Sequence, residues 1–207
     1  MDLNIRAYCT ITPGEVRLNN QTMTTIAKQE SLDKSLAQTY RDLGMEYLKF
    51  FKMDNLSKLS MLATECLLKG TELYGAADNE DVAVVLSNAS SSLVTDINYQ
   101  HTINDKENYF PSPSLFVYTL PNISIGEICI KHKIYGENIF FVSEKYDAKN
   151  VHFYVSELFK CSNTKHCITG WVECNENSYE AFFILVEHGG NGEAFTMNKI
   201  NTLYNFK

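Results

Sequence analysis

Residues 81–87, DVAVVLS, form a short continuous apolar run bounded by polar residues. Such a run is typical of a strand covered on both faces, as in a sheet packed between helices. The segment before it, residues 53–67, carries apolar residues at helical spacing. Asp54 or Asn55 can cap that helix, and Gly70 can end it. A buried helix followed by a buried strand favours an α/β fold.

The same alternation continues outward along the chain. Apolar periodicity predicts a helix over 35–51 and another over 151–159, and residues 194–206 are compatible with a final helix or strand. Runs rich in strand-forming residues predict four further strands. These strands lie near residues 5–11, 138–143, 166–173 and 181–187.

The sheet that these strands form is predicted to be mixed. A short polar turn joins the last two strands, so we expect them to be antiparallel. Residues 14–30 are polar and follow a Pro13-Gly14 turn, so they contribute none of the predicted strands. We expect a single α/β domain over residues 1–207, with a five-stranded mixed sheet and helices on both faces.

Composition excludes several classes of protein. The 207 residues are 44% hydrophobic, which is enough to bury a core, and the net charge of −7 disfavours a nucleic-acid surface. No window reaches the roughly 18 apolar residues of a membrane span, and the first residues lack a signal-peptide pattern. We therefore expect a cytoplasmic protein with free thiols.

Standard catalytic and cofactor motifs are absent from the sequence. There is no GxSxG, GxGxxG or GxxxxGK[ST], and the GGNG stretch at 189–192 lacks a phosphate-loop lysine. A zinc site is an alternative to buried thiols, but the spacing contains no CxxC pair. Its ligands would be Cys161, His166, Cys167 and Cys174. We expect neither a metal nor a cofactor.

Two stretches carry a family resemblance. Residues 87–103, SNASSSLVTDINYQHTI, and residues 112–137, SPSLFVYTLPNISIGEICIKHKIYGE, resemble the N-terminal half of beta-ketoacyl-acyl carrier protein synthases. More narrowly, they are similar to short ketosynthase-like chain-length factors of aryl-polyene and related pigment pathways. The resemblance extends to residues 52–68, 136–144 and 168–188, and so covers most of the chain.

The resemblance implies one half of a thiolase-like fold without ketosynthase catalysis. In that family, the strand corresponding to residues 138–143 ends in a turn that bears the catalytic Cys. Here that turn holds Glu144 and Lys145, and neither side chain can form a thioester. The His-His or His-Asn pair of a synthase belongs to the second half of the fold, which we do not expect in this chain.

The resemblance also implies an interface. In the family, the strand before the nucleophile turn pairs antiparallel with its copy in the partner subunit. Ile139, Phe140, Phe141 and Val142 are therefore expected to pair with another subunit. A strand buried within its own domain is the alternative.

The segment 112–122 lies at that interface in the family and faces the acyl pocket of the partner. Counted from Asn122, Leu115 and Thr119 correspond to the residues that face the pocket, with Phe116 beside them. Ordinary interface packing is the alternative role for Leu115 and Phe116.

These expectations combine into a non-catalytic subunit of a condensing complex. We expect it to pair with an active ketosynthase, or with a second copy of itself, and to meet acyl carrier protein through that complex. Its role would be that of a chain-length factor, which shapes the acyl tunnel. Two alternatives remain open: an acyltransferase or thioesterase-like enzyme that uses Glu144, and a self-associating protein that binds acyl carrier protein or acyl chains.

Overall fold

A single mixed sheet organises the chain. The computed structural model describes residues 2–26, 31–175 and 178–206, and in these residues the sheet has eight strands. They are β1 (Leu3–Thr12), β2 (Glu15–Leu18), β3 (Gln21–Thr25), β4 (Val82–Asn88), β5 (Asn138–Val142), β6 (His166–Cys174), β7 (Tyr179–His188) and β8 (Glu193–Ala194). Their order is β3-β2-β1-β7-β6-β4-β5, and β8 pairs with β1.

The five strands expected from the sequence are present as β1, β4, β5, β6 and β7. Strand β4 runs parallel to both β5 and β6, whereas β7 is antiparallel to β6 and to β1. The predicted antiparallel pairing of the last two long strands is therefore confirmed. The apolar run that begins at Val82 is buried along the whole of β4, as a strand covered on both faces requires.

The expectation of a sheet with only five strands is wrong. Residues 14–30, which look like a polar connection, contain the antiparallel hairpin of β2 and β3. Asn19 and Asn20 form its turn with φ angles of +48° and +66°. Asparagine tolerates this left-handed region, which a tight hairpin turn needs. The two-residue β8 is the eighth strand.

Seven α-helices and one 3₁₀-helix lie in the described residues. They are α1 (Leu32–Asp42), the 3₁₀-helix (Leu48–Lys52), α2 (Asn55–Leu68), α3 (Leu93–His101), α4 (Pro113–Val117), α5 (Ile123–His132), α6 (Ala148–Cys161) and α7 (Met197–Asn205). The predicted continuous helix over 35–51 is wrong, because α1 ends at Asp42. Gly44 follows with φ +61°, a conformation that favours glycine and turns the chain away.

Helix α2 is the buried helix that the sequence predicts. The carboxylate of Asp54 caps it by accepting the N–H of Ser57 at 2.9 Å. Every residue from 56 to 68 is buried, because α2 packs against β1, β6 and β7 as well as against α1 and α5. This helix therefore fixes the position of α5 relative to the sheet.

Two apolar clusters cover the two faces of the sheet, which confirms the prediction of helices on both faces. The first includes Leu36, Leu62 and Ile128 of α1, α2 and α5, and the second includes Val155 and Ile200 of α6 and α7. Among the described helices, none is long and apolar enough to span a membrane.

Candidate functional site

Strand β5 lies at one edge of the sheet. In the described residues it pairs with β4 alone, so its second edge has no partner. Gly136, just before β5, lies so close to the carbonyl of Val82 that a Cβ would clash with it. This close approach explains the glycine and holds β5 against β4.

The backbone groups of β5 alternate between β4 and the free edge. Glu137 accepts the N–H of Val84, and Ser143 donates to the carbonyl of Asn88, each at 2.9 Å. In a parallel pair, alternate residues direct both their N–H and C=O to the same neighbour. The odd-numbered residues of this stretch therefore bond β4, and Phe140 and Val142 point their backbone groups outward.

The side chains of β5 are only partly covered. Ile139 and Phe141 pack against the cluster under α6, and the ring of Phe141 lies 5.2 Å from that of Tyr154. Phe140 packs against the opposite cluster, whereas Val142 is 56% exposed. The predicted strand is therefore an edge strand, and its pairing with another subunit stays a prediction.

The turn after β5 holds the position where the resemblance expects a nucleophile. Glu144 and Lys145 are exposed there. Neither side chain forms a hydrogen bond or ion pair within the described residues, and only the carbonyl of Lys145 is engaged, by the hydroxyl of Ser143 at 3.0 Å. Asp147 then caps α6 by accepting the N–H groups of Lys149 and Asn150. The turn contains no thiol and no base beside Glu144.

Burial makes three cysteines elsewhere in the fold poor nucleophiles. Burial raises the pKa of Cys174, at the end of β6, to about 12 and that of Cys129 to about 11. Burial also raises the pKa of Cys167. A thiol with a raised pKa holds its proton at neutral pH and is a poor nucleophile. No group of three or more potential metal ligands occurs in the part of the chain that the structure describes.

A loop at the carboxyl end of β4 is closed by a carboxylate from β6. The N–H groups of Ala89 and Ser90 donate to Glu173 at 2.8 and 3.3 Å, and the hydroxyl of Ser90 donates to the same carboxylate. The side-chain amide of Asn88 donates to the carbonyl of Ser91, and its Oδ1 accepts the N–H of Ser91. The turn is therefore closed by its own hydrogen bonds. The small polar run NASSS at residues 88–92 indicates a turn. It does not indicate Glu173, which lies 83 positions from Ser90.

The segment 112–122 places its four predicted residues in different surroundings. Leu115 lines a cavity, whereas Phe116 is 59% exposed and its ring lies 5.4 Å from that of Tyr99. The carbonyl of Thr119 accepts the hydroxyl of Ser92 at 2.7 Å. Asn122 is exposed at the start of α5. The structure therefore does not bring the four side chains into one pocket.

The cavity beside Leu115 has a volume of about 220 Å³. It lies between the start of α2, helices α3 and α4, and the end of β6. Its apolar lining comprises Met53, Leu56, Val94, Leu115 and Cys174, and its polar lining includes Asp54 and Thr95. It is therefore amphipathic, and it lies at the carboxyl end of the parallel strands, where α/β folds place ligands.

Three charged side chains, Asp33, Asp54 and Lys58, line this cavity and set its electrostatics. The Asp54 carboxylate accepts the N–H of Ser57 and the hydroxyl of Thr95, each at 2.9 Å. Burial raises the pKa of Asp54 although these bonds oppose the shift. The ammonium of Lys58 is almost fully buried at the cavity and forms an ion pair with Asp33.

Exposed apolar side chains occur on α3 and α4, in the loop between these helices and just after α4. We call this surface the α3–α4 face. It comprises Leu93, Ile97, Tyr109, Phe110, Phe116, Val117 and Leu120. A group of exposed apolar side chains is a candidate interaction surface in a globular protein.

Comparisons with known proteins identify the fold. No family model and no curated protein matches the sequence. The structure is similar to the ishigamide ketosynthase/chain length factor, with a TM-score of 0.66 and 15% identity over 94% of this chain and 64% of that one. A beta-ketoacyl synthase from Burkholderia phymatum matches with a TM-score of 0.64 and 12% identity, over 91% of this chain and 59% of that one.

A third structure matches along a greater share of its own chain. It is a ketosynthase in complex with its chain length factor from Xenorhabdus doucetiae, with a TM-score of 0.61 and 11% identity, over 100% of this chain and 91% of that one. The chain thus spans less than two thirds of the first two structures and nine tenths of the third. It has the thiolase-like fold of ketosynthases and chain length factors.

Proposed function

We propose that this chain is a non-catalytic subunit that pairs with an active beta-ketoacyl synthase and shapes its acyl tunnel, as a chain length factor does. The observation that carries the proposal is the apolar edge strand β5, which has a neighbour on one side only among the residues that the structure describes. The likeness to ketosynthase and chain length factor structures supports it.

The pairing surface consists of β5 and the α3–α4 face. An apolar edge strand left unpaired is an aggregation hazard, which proteins avoid by covering it. Strand β5 contains neither a proline nor a lysine, which commonly protect exposed edges. It ends against the loop that begins α3, because Ser143 bonds Asn88. One partner can therefore extend the sheet at β5 and cover the α3–α4 face.

The turn after β5 supports the proposed lack of catalysis. Acyl transfer needs a nucleophile that forms a thioester and leaves again, and Glu144 and Lys145 offer a carboxylate and an ammonium. An enzyme that uses Glu144 would need a base or an oxyanion donor beside it, and no described side chain bonds to that carboxylate. We therefore favour a non-catalytic subunit over the enzymatic alternatives.

In this proposal the partner synthase catalyses the condensation, and the present chain limits the length of the growing acyl chain. Leu115, Phe116 and Thr119 are the residues proposed to limit the growing chain, within a fatty-acid or polyketide pathway of the aryl-polyene type. Acyl carrier protein meets the complex through the synthase. Pairing with a second copy of the same chain is the alternative assembly through the same surface.

Co-expression with a full-length beta-ketoacyl synthase from the same genome tests the proposal. We expect a stable complex of the two chains, and condensing activity that the present chain lacks when purified alone. A chain that stays apart from every such synthase while remaining folded would overturn the pairing role.

A further inference from the structure

The 3₁₀-helix presents its side chains in three rows, because residues three positions apart project from the same side of such a helix. Phe50 and, just after the helix, Met53 form a buried row and are 0% and 4% exposed. Leu48 and Phe51 form an apolar row at the surface and are 83% and 46% exposed. The buried row packs in the core under the sheet, so the apolar row is held outward.

The third row of this helix is basic. Lys49 and Lys52 are both exposed on it. Lys49 reaches the buried carboxylate of Glu127 on α5 at 2.7 Å, whereas Lys52 forms no ion pair with any described residue. Glu46, just before the helix, is the exposed acid of the same stretch. The row therefore places an unpaired ammonium beside the exposed apolar side chains.

Helix α5 continues this surface. Leu48 lies beside α5, because the lysine that follows it reaches α5 and the Lys131 ammonium lies 5.5 Å from the ring of Tyr47 before it. Ile130 is 63% exposed on α5, and Lys133 at the end of α5 is exposed and has no ion-pair partner in the described part of the chain. With the paired charges cancelled, the surface has a small positive excess in a chain whose net charge is −7.

Exposed apolar and lysine side chains that lie next to one another fit a lipid surface better than a protein. The core of a protein interface is depleted in lysine, whereas helices at a membrane surface carry apolar residues beside lysines that extend to the headgroups. We propose that this surface binds peripherally to a membrane that contains anionic lipid. Leu48, Phe51 and Ile130 would enter the headgroup region, and the attraction depends on the local lysines because distant charges are screened. The inference does not depend on the pairing role.

Co-sedimentation of the full chain with lipid vesicles tests the proposal. We expect the chain to bind vesicles that contain phosphatidylcholine and phosphatidylglycerol in equal parts. Vesicles of phosphatidylcholine alone should bind about fivefold more weakly, as the loss of one lysine's attraction to an anionic surface implies. No binding to the mixed vesicles, or equal binding to both kinds, would overturn the proposal.

The Leu48→Ser variant tests the apolar row. The side chain is exposed, so the fold should be kept, and the affinity for the mixed vesicles should fall about tenfold because the leucine no longer leaves water. The matched control is Leu120→Ser on the α3–α4 face, where Leu120 is 58% exposed, and it should leave the affinity unchanged.

Two outcomes of this comparison would refute the assignment. If Leu120→Ser weakens vesicle binding and Leu48→Ser does not, the α3–α4 face is the lipid contact. If Leu48→Ser prevents assembly with the synthase and leaves vesicle binding unchanged, the surface contacts a protein instead. Vesicle binding needs no partner chain, so its failure leaves the pairing role standing.

Discussion

Nε2 of His132 on α5 lies 3.1 Å from Oε1 of Glu65 on α2, and both side chains are at most 2% exposed. The hydroxyl of Tyr74 donates to the same carboxylate at 3.0 Å, and the Lys131 ammonium lies 3.5 Å from it. This buried group joins the central helix to the helix that precedes β5. These buried contacts therefore help to hold β5, the proposed pairing edge, in position.

Replacing Glu65 by Gln should destabilise the fold strongly. The change removes the carboxylate but leaves Lys131 and His132 beside it, and breaking a buried pair in this way costs about 3 kcal/mol. Urea unfolding measures the free energy of unfolding. The matched control is Glu157→Gln, which removes the exposed ion pair with Lys160 and should change stability by less than about 1 kcal/mol. Equal effects of the two changes would contradict the structural role of Glu65.

The ionisation of Glu65 should make the free energy of unfolding depend on pH. Burial opposes ionisation of Glu65, but its contacts with His132, Lys131 and Tyr74 outweigh this effect and lower its pKa below its ordinary value. A carboxyl with a lowered pKa in the fold contributes stability above its unfolded pKa, and this stability is lost as the pH falls through the folded value. Below about pH 4.5, the free energy of unfolding should therefore fall more steeply in the unaltered chain than in Glu65→Gln. Parallel pH profiles of the two proteins would contradict this assignment.

Amide hydrogen exchange should alternate along β5 in the free chain. Ile139 and Phe141 direct their N–H groups to β4, and Phe140 and Val142 direct theirs to the open edge, as the bonds at Glu137 and Ser143 establish. The first pair should exchange slowly and the second pair rapidly. Pairing with another subunit should slow the second pair selectively. Uniform protection along the strand would show that the edge is already covered in the free chain.

The chain alone should not accept an acyl group. Mass spectrometry after incubation with an acyl carrier protein thioester should show unmodified protein, because the turn at Glu144 and Lys145 contains no thiol. An active synthase treated in the same way serves as the positive control. A stable adduct on residues 143–146 would refute the non-catalytic role.

Shortening Leu115 should lengthen the product of the complex. Leu115→Ala removes bulk from the wall of the cavity, and Phe116→Ala removes it from the exposed face. We expect the complex to form in both cases and the product distribution to shift toward longer chains, which mass spectrometry of the products measures. Lys149→Glu on α6 is the control and should leave the distribution unchanged. If product length is unchanged in intact complexes of both alanine variants, the chain has a pairing role only.

Local patterns predict the strands and helices that form the centre of the fold. The apolar run of β4 and the cap at Asp54 each depend on neighbouring residues, so the sequence alone reveals them. Local apolar patterns do not predict the hairpin of β2 and β3, because its strands are polar. Its one local signal is the Asn19-Asn20 pair, which tolerates the left-handed turn.

Contacts between residues that are far apart in the sequence cannot be predicted from local patterns. The closure of the Ser90 loop by Glu173 and the pairing of Glu65 with His132 each join residues more than 60 positions apart. The cavity likewise depends on α2, α3, α4 and β6 together. The sequence identifies Leu115 through a family resemblance, whereas Asp54 and Thr95 become candidates only when the helices are packed.

The most direct test of the account is the assembly of this chain with a co-expressed beta-ketoacyl synthase, with and without Val142→Pro. Proline removes the N–H that Val142 directs to the free edge, while the bonds of Phe141 and Ser143 to β4 are kept. Light scattering should show a complex of the two chains for the unaltered protein, and separate folded chains for the variant. A complex that forms equally well with Val142→Pro would contradict pairing through β5.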